Sequence, residues 1–443
     1  MIQLSSIALY VNDKISSSDI SLEEYVTTDC MLQNKRGREI ATNLPPQPCS
    51  LIHYKPGDIL IANIRPYLKK IWYADMEGGA SSDVLVFRAK EGHSPEYLYA
   101  ALLQDAFFDY VMQGTKGSKM PRGDKEQIMR YEMPTLSTSE ESIGKFILDI
   151  NQKIQLNEQI NQNLEALAKQ LYDYWFVQFD FPNEEGKPYK SSGGTMVWSE
   201  KLKRNIPASW ETAVVDYVAD VFNGATPSTG DEQNYGGDVV WITPKDLSDQ
   251  KQKFVYQGER NISQAGYDSC STHLLPINTV LMSSRAPIGL LAIAKAELCT
   301  NQGFKSFVPK EGRTATYLYY YLQFHIKQIE QLGTGTTFKE VSREDVLKFP
   351  ILKPNDSVLD LWEERVSALN DRQLELQKEN EYLSKQRDEL LPLLMNGQVS
   401  LNSDLAVIAI IDKFTSFTLS SGSKSRRKSI SPKRIWQTGL SVL

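Results

Sequence analysis

Arg65, Lys69 and Lys70 crowd a short stretch of the chain, with Tyr67 and Trp72 set between them. Downstream, Lys116, Lys119, Arg122 and Lys125 crowd a glycine-containing stretch, QGTKGSKMPRGDKEQI from Gln113. Lys245, Arg285, Lys339 and Arg343 recur later, and the last two flank or follow a threonine-rich tip, GTGTT. Arginine and lysine on loops suit contact with phosphate and, for arginine, bidentate reading of guanine edges. Charge on a solvated loop is also ordinary, so residue type alone does not decide between the two.

Catalytic patterns are missing from the sequence. There is no GxxxxGK[ST] to cradle a phosphate and no GxGxxG after a strand. No Asn-Pro-Pro or Asp-Pro-Pro followed by an aromatic is present to grip the amine of a target base; LPPQP at Leu44–Pro48 lacks both ends of that pattern. His53, His93 and His325 stand alone, and Cys270 with His273 has no second pair to complete a metal site. GDKEQ at Gly123 offers an acid, a lysine and a second acid, but no paired acid on a strand upstream. The expectation is a binding protein with no cofactor and no metal of its own.

The elements that position these residues are written twice. PGDILIANIRP starts at Pro56 and PINTVLMSSRAP at Pro276, so Arg65 and Arg285 lie 220 residues apart. The same offset relates Phe87 to Phe307 and Tyr97-Leu98-Tyr99 to Tyr317-Leu318-Tyr319. Each copy then passes through a polar glycine-containing loop and ends at a proline, Pro134 or Pro350. Order kept over this length marks a duplication. DILIANI and TVLMSS are short runs rich in β-branched and apolar residues, hence strands. YLYAALLQDAFFDYVMQ has apolar residues three and four apart, hence helix. Each copy is therefore expected to be an α/β globule.

Two long helices accompany the globules. From Glu140 to Val177 the apolar positions include Ile150, Ile154, Leu164, Leu167 and Leu171, with a six-residue break between Ile154 and Ile160 that implies a phase shift. From about Ser357 to Met395, Trp362, Leu369, Leu376, Leu383 and Leu390 recur every seven residues, while the other seam position is polar (Gln373, Asn380, Arg387). Each is roughly three times the usual helix length of about 11–12 residues. The fold class expected is α+β, two duplicated globules separated by two long antiparallel coiled-coil helices. The boundaries expected are globule one at 1–138, central helix 139–178, linker 179–205, globule two at 206–353, distal helix 354–397 and a basic, Ser-rich, unstructured tail at 398–443.

Net charge is −6 with a pI near 5.5, which argues against a basic coat but permits one basic face. Four scattered cysteines read as reduced thiols. With no signal-like start and no apolar run of about 18 residues, a soluble, cytoplasmic protein with no membrane contact is expected.

A family resemblance joins these features. IPASWETAVVDYVADVFNGATPSTGDEQNYGGDVVWITPKDLSD, from Ile206, resembles the opening of a target recognition domain in the specificity subunit of type I restriction-modification enzymes. YKPGDILIANIRPYLKKIWYADMEGGASSDVLVFR, from Tyr54, looks like a second, differently classed domain of that family, and QRDELLPLLMNGQVSL, from Gln386, resembles the end of its distal helix. The resemblance covers the chain to about Leu401. It implies that each globule reads half of a split target in double-stranded DNA. The helices would fix the gap and dock two methylation subunits, with restriction subunits joining through them. S-adenosylmethionine, ATP and Mg would belong to those partners, and the chain would sit on the nucleoid when bound to DNA. The residues beyond Leu401 depart from the family and read as a rearrangement-derived tail rather than a DNA-touching arm. A stand-alone methyltransferase or nuclease, or a scaffold binding only proteins, are the competing classes.

Overall fold

The computed structural model describes residues 1–115, 117, 119–133, 140–250, 252–335, 339–399 and 401. They form two compact units, one of Met1–Lys153 with the chain from Ser384 onward, the other of Ile154–Leu383. The tail read at 398–443 lies almost wholly outside the described residues, as does Lys116.

The first unit is built on a four-stranded antiparallel sheet in the order Ala8–Tyr10, Val84–Ala89, Ile59–Ala62, Ile71–Tyr73. The strand ILIA is buried at every position because both sheet faces are covered. Ile59 and Ile61 enter one cluster with Leu85, Phe87 and the helix Pro95–Leu103. Leu60 and Ala62 enter another with Trp72, Val84 and Val86. This is the period-2 alternation of a strand, with apolar residues on both sides. The helix Pro95–Leu103 starts where Pro95 occupies the first turn and the Ser94 hydroxyl accepts from the Tyr97 N–H.

The second unit repeats the order with Ala219–Asn223, Phe304–Pro309, Val280–Ser284 and Ile288–Ala294, and adds Phe254–Val255 in parallel at the edge. Register is kept: Phe87 faces Ile59, and Phe307 faces Val280. Both phenylalanines are fully buried. In each unit an early strand pairs with the last one, Ile2–Gln3 with Glu132–Met133 and Glu211–Val214 with Pro350–Lys353. The duplication read from the 220-residue offset is thus a duplication of topology.

Residues 179–205, read as a linker, are folded within the second unit. Phe179 and Phe181 pack on Trp210 with ring centroids 5.6 and 4.8 Å apart. Met196–Ser199 pairs with Arg204–Pro207 as a hairpin. Three aromatic rings outweigh the Gly-, Ser- and Lys-rich composition around them.

The long helices run Glu140–Tyr172, closed by a π-helical turn at Asp173–Val177, and Asp356–Met395. Within the first unit, Ile143 and Ile147 share a cluster with Leu391, Leu394 and Met395, and Arg387 donates to Asn151 Oδ1 at 2.7 Å. Within the second, Asn380 donates to the Ile154 carbonyl at 3.1 Å and Gln373 to Glu165 at 3.2 Å. Rising numbers on one helix meet falling numbers on the other.

The predicted phase shift is absent. Asn157 is fully buried and fills the place between Ile154 and Ile160, so the three- and four-residue spacing continues. Leu167 is 51% exposed; Ala168 and Tyr172 are buried instead. Ile150, Ile154, Leu376 and Leu383 are buried as expected, and Leu164, Leu171, Leu369 and Leu390 are half-buried. Residue size misleads at Leu167: a small alanine admits a closer neighbour than a leucine would. Among the described residues no helix is long and apolar enough to cross a membrane.

Candidate nucleic-acid interface

Each sheet ends in a turn that carries the repeated arginine. In the first unit the Asn63 N–H donates to the Asp83 carbonyl at 2.8 Å, and the Gly123 N–H donates to the Asn63 carbonyl at 3.2 Å. The Arg65 N–H donates to the Pro121 carbonyl at 2.8 Å, and Ile64 bridges Arg122. The turn is therefore sewn to the glycine-containing loop. Arg65 holds φ 53° and ψ 60° before a short helical turn opened by Pro66. A non-glycine residue in this left-handed region costs roughly 1–2 kcal/mol and points to a constraint worth explaining. Its side chain is exposed, and among the described residues nothing pairs with its guanidinium.

The second unit repeats this stitching. The Ser284 N–H donates to the Gly303 carbonyl at 2.7 Å, and the Val341 N–H donates to the Ser284 carbonyl at 3.1 Å. Arg285 bridges Glu340, which bridges Thr334 in turn. The floor differs. Lys305, only 6% exposed, lies 3.1 Å from Glu340 Oε1, and its ammonium donates to Ser284 Oγ at 3.4 Å. The first unit has Leu85 among its core residues at the matching strand position. The same turn thus stands on different chemistry in the two copies.

The structure separates the predicted cations into tied and free ones. Lys69 is bound to Asp105 at 2.7 Å, and Lys70 donates to the Thr28 carbonyl at 2.6 Å. Burial pushes the Asp105 carboxyl up, but hydrogen bonds from Lys69 and Lys35 outweigh it and hold the group below its ordinary value. Arg343 donates to the Val221 carbonyl at 2.6 Å, so it braces the fold. Arg122 pairs with Asp83 at 3.1 Å and Lys245 with Glu259 at 2.6 Å. Both pairs are largely exposed and therefore weak enough to reopen for a ligand. Lys245 lies on the rim of an open cavity of about 420 Å³ shared with Trp241 and Arg260. Lys119 and Lys339 are exposed, and among the described residues no partner meets their side chains or those of Arg65 and Arg285.

Sequence reading missed Lys35, Arg38 and Arg260. Arg38 lies over Trp72 at 4.3 Å and Arg260 over Tyr235 at 3.5 Å. The run Lys35-Arg36-Gly37-Arg38 was the available signal for the first two. Cys270 donates to the Gly266 carbonyl, and His273 packs on Phe222 with centroids 5.0 Å apart. Among the described residues no three His, Cys, Asp or Glu gather as a metal site would require.

Comparison with known proteins fits this arrangement. The type I restriction modification DNA specificity domain matches residues 207–360. The chain is similar to the type I restriction enzyme MjaIX specificity subunit of Methanocaldococcus jannaschii, 35% identical over 194 residues. That match covers 42% of this chain and 45% of the relative, so it spans less than half of the relative's length. The HindI specificity subunit of Haemophilus influenzae is 24% identical over 437 residues, covering 85% of this chain and 94% of the relative. Among solved structures, the type I restriction-modification S subunit from M. genitalium superposes with a TM-score of 0.51 at 12% identity. It covers 88% of this chain and 94% of its own length, and it shares the fold. Residues 207–360 thus match the type I restriction modification DNA specificity domain, and most of the chain is similar to specificity subunits of type I restriction enzymes.

Proposed function

We propose that the chain is a type I restriction-modification specificity subunit whose two globules each read one half of a split DNA target. The observation that carries the reading is the repeated turn. Arg65 and Arg285 leave equivalent strands, and each turn is hydrogen-bonded to the glycine-containing loop of its own copy. A rigid strand end holds the arginine, while the loops around it differ. Such a scaffold suits two different half-sites. Arg65, Lys119, Arg285 and Lys339 are the leading candidates for DNA contact. Arg122 and Lys245 join them if their surface pairs open.

The two long helices act as an antiparallel coiled-coil spacer and as the docking surface for two methylation subunits, with restriction subunits joining through those. A gap near one helical turn, about 10 bp between half-site centres, keeps both globules on one face of the duplex. The chain contributes recognition. Adenine N6 methylation and restriction, with S-adenosylmethionine, ATP and Mg, belong to the partners. It works in the cytoplasm on the nucleoid.

Footprinting of the assembled complex on its target tests this reading. Two protected blocks flanking an unread gap are expected, with affinity falling steeply as salt rises. One continuous block, or duplex binding that ignores salt, would contradict it.

A further inference from the structure

Each globule carries a buried lysine that reaches a long helix. In the first unit, Asn34 and Lys35 donate their N–H groups to the carbonyls of Leu68 and Lys69, beside the edge strand Ile71–Tyr73. In the second, Lys253 directly precedes the edge strand Phe254–Val255, and its carbonyl accepts from the Ile293 N–H of the neighbouring strand Ile288–Ala294. Both lysines thus leave the same side of the repeated sheet, Lys35 at the Leu68–Lys69 turn and Lys253 beside Ile293, which corresponds in register to Tyr73.

Their side chains end on the long helices. The Lys35 ammonium is 4% exposed and lies 3.0 Å from Asp388 on the second long helix, with Asp105 at 2.9 Å. The Lys253 ammonium is 6% exposed and lies 3.2 Å from Glu165 on the first long helix. It also donates to Tyr320 Oη at 2.7 Å and to Asn370 Oδ1 at 2.8 Å, with Gln373 Oε1 at 3.4 Å. The Tyr320 ring lies 4.6 Å below it. Next to it, Gln377 donates to the Phe254 carbonyl at 2.9 Å. A lysine offers three donors, and here they meet groups from both long helices and from the globule itself.

Such a pair is a poor stabiliser. Burial pushes the Lys253 ammonium below its ordinary value, and Glu165 only partly restores it. Desolvation of a buried ion pair commonly cancels its attraction, so an apolar packing of the same volume would serve stability as well. What the charged arrangement adds is uniqueness of position. Four directed acceptors on Lys253, and two carboxylates on Lys35 of which one belongs to the helix, fit one placement of the globule on the helix and no sliding neighbour.

We propose that Lys35 and Lys253 are positioning residues that fix each recognition globule at one place on a long helix, and thereby set the gap length the complex accepts. The proposal rests on the split-target reading above. Changing the gap by one base pair moves one half-site by about 3.4 Å along the axis. Globules held by the latches cannot follow that shift, and globules freed of them can.

The test uses the full chain in its complex with methylation subunits, and duplexes carrying both half-sites with the native gap or one base pair more or less. The variants Lys253→Met/Glu165→Gln and Lys35→Met/Asp388→Asn remove both charges of a latch together. Glu165→Gln and Asp388→Asn alone keep side-chain shape and serve if the double variants fold poorly. Wild type is expected to lose at least about tenfold in affinity on either altered gap. The variants are expected to bind native and altered gaps within a few-fold of each other while both half-site sequences stay required. A variant that discriminates gaps as wild type does, whatever its melting temperature, overturns the latch. Wild type that binds all gaps alike overturns the split-target reading itself.

Discussion

The side-chain amide of Asn157 donates to the amide oxygen of Asn380 at 2.8 Å, with both residues buried between the two long helices of the second unit. Asn157 also donates to Glu379 at 3.0 Å, and Asn380 to the Ile154 carbonyl at 3.1 Å. These bonds form in one register and are lost in any other, which is how a buried asparagine fixes helix alignment. Asn157→Leu leaves Asn380 Oδ1 without this donor and should cost about 1–3 kcal/mol. Asn157→Leu with Asn380→Leu should recover most of that loss. Denaturant melts of both variants check the direction.

Free and tied cations should behave differently on DNA. Arg65→Ala and Arg285→Ala should each weaken duplex binding and lower the slope of log affinity against log salt by about 1. Lys69→Ala and Arg343→Ala remove groups held by Asp105 and by the Val221 carbonyl, so they should lower stability and leave the salt slope unchanged. Anisotropy titrations at several salt concentrations separate the two groups.

Gly144 is the single glycine of the first long helix, and it lies against the opening turn of the helix Pro95–Leu103. A Cβ there would stand 2.3 Å from the Tyr97 nitrogen and 2.5 Å from the Glu96 carbonyl carbon, both backbone atoms. Gly144→Ala would gain about 1 kcal/mol of helix propensity. It would lose about 1–3 kcal/mol by forcing two helices apart. A lower melting temperature is expected.

His325 gives the second unit a pH dependence. Its ring stacks on Tyr321 at 4.2 Å, its Nδ1 lies 2.9 Å from the Tyr321 carbonyl, and it lines a cavity of about 290 Å³ with Arg204. Burial pushes its pKa below the ordinary 6.5; the Tyr321 carbonyl opposes that, and Arg204 reinforces it. The folded chain then binds this proton more weakly than the unfolded chain does. Its contribution to stability is full above about pH 6.5 and is lost as pH falls toward the folded value. His325→Gln should flatten that slope in melts between about pH 5 and 7.

Much of the fold could be read because duplication preserves positions that the backbone ladder depends on. Phe87 and Phe307 keep their offset since each fills the same place opposite a strand neighbour. Leu376 and Leu383 were legible because a heptad of leucines leaves few other faces to bury. Leu167 misled because size is visible in a sequence and closeness of approach is not. The candidate interface was half legible for a related reason. Basic residues on loops announce themselves, but Lys69 and Arg343 are tied to Asp105 and Val221, which lie far off in the chain. Lys253 escaped notice altogether, since a lone lysine near an apolar strand gives no hint that Glu165 and Asn370 wait beside it.

The central claim is that one chain reads two half-sites across a fixed gap. Mapping methylated adenines across a host genome, with and without this gene beside its partner subunits, tests it most directly. The account predicts one methylated motif that disappears with the gene, made of two short specific parts separated by a constant unread gap. A lost motif that is a single uninterrupted word, or a methylation pattern that does not change, would contradict it.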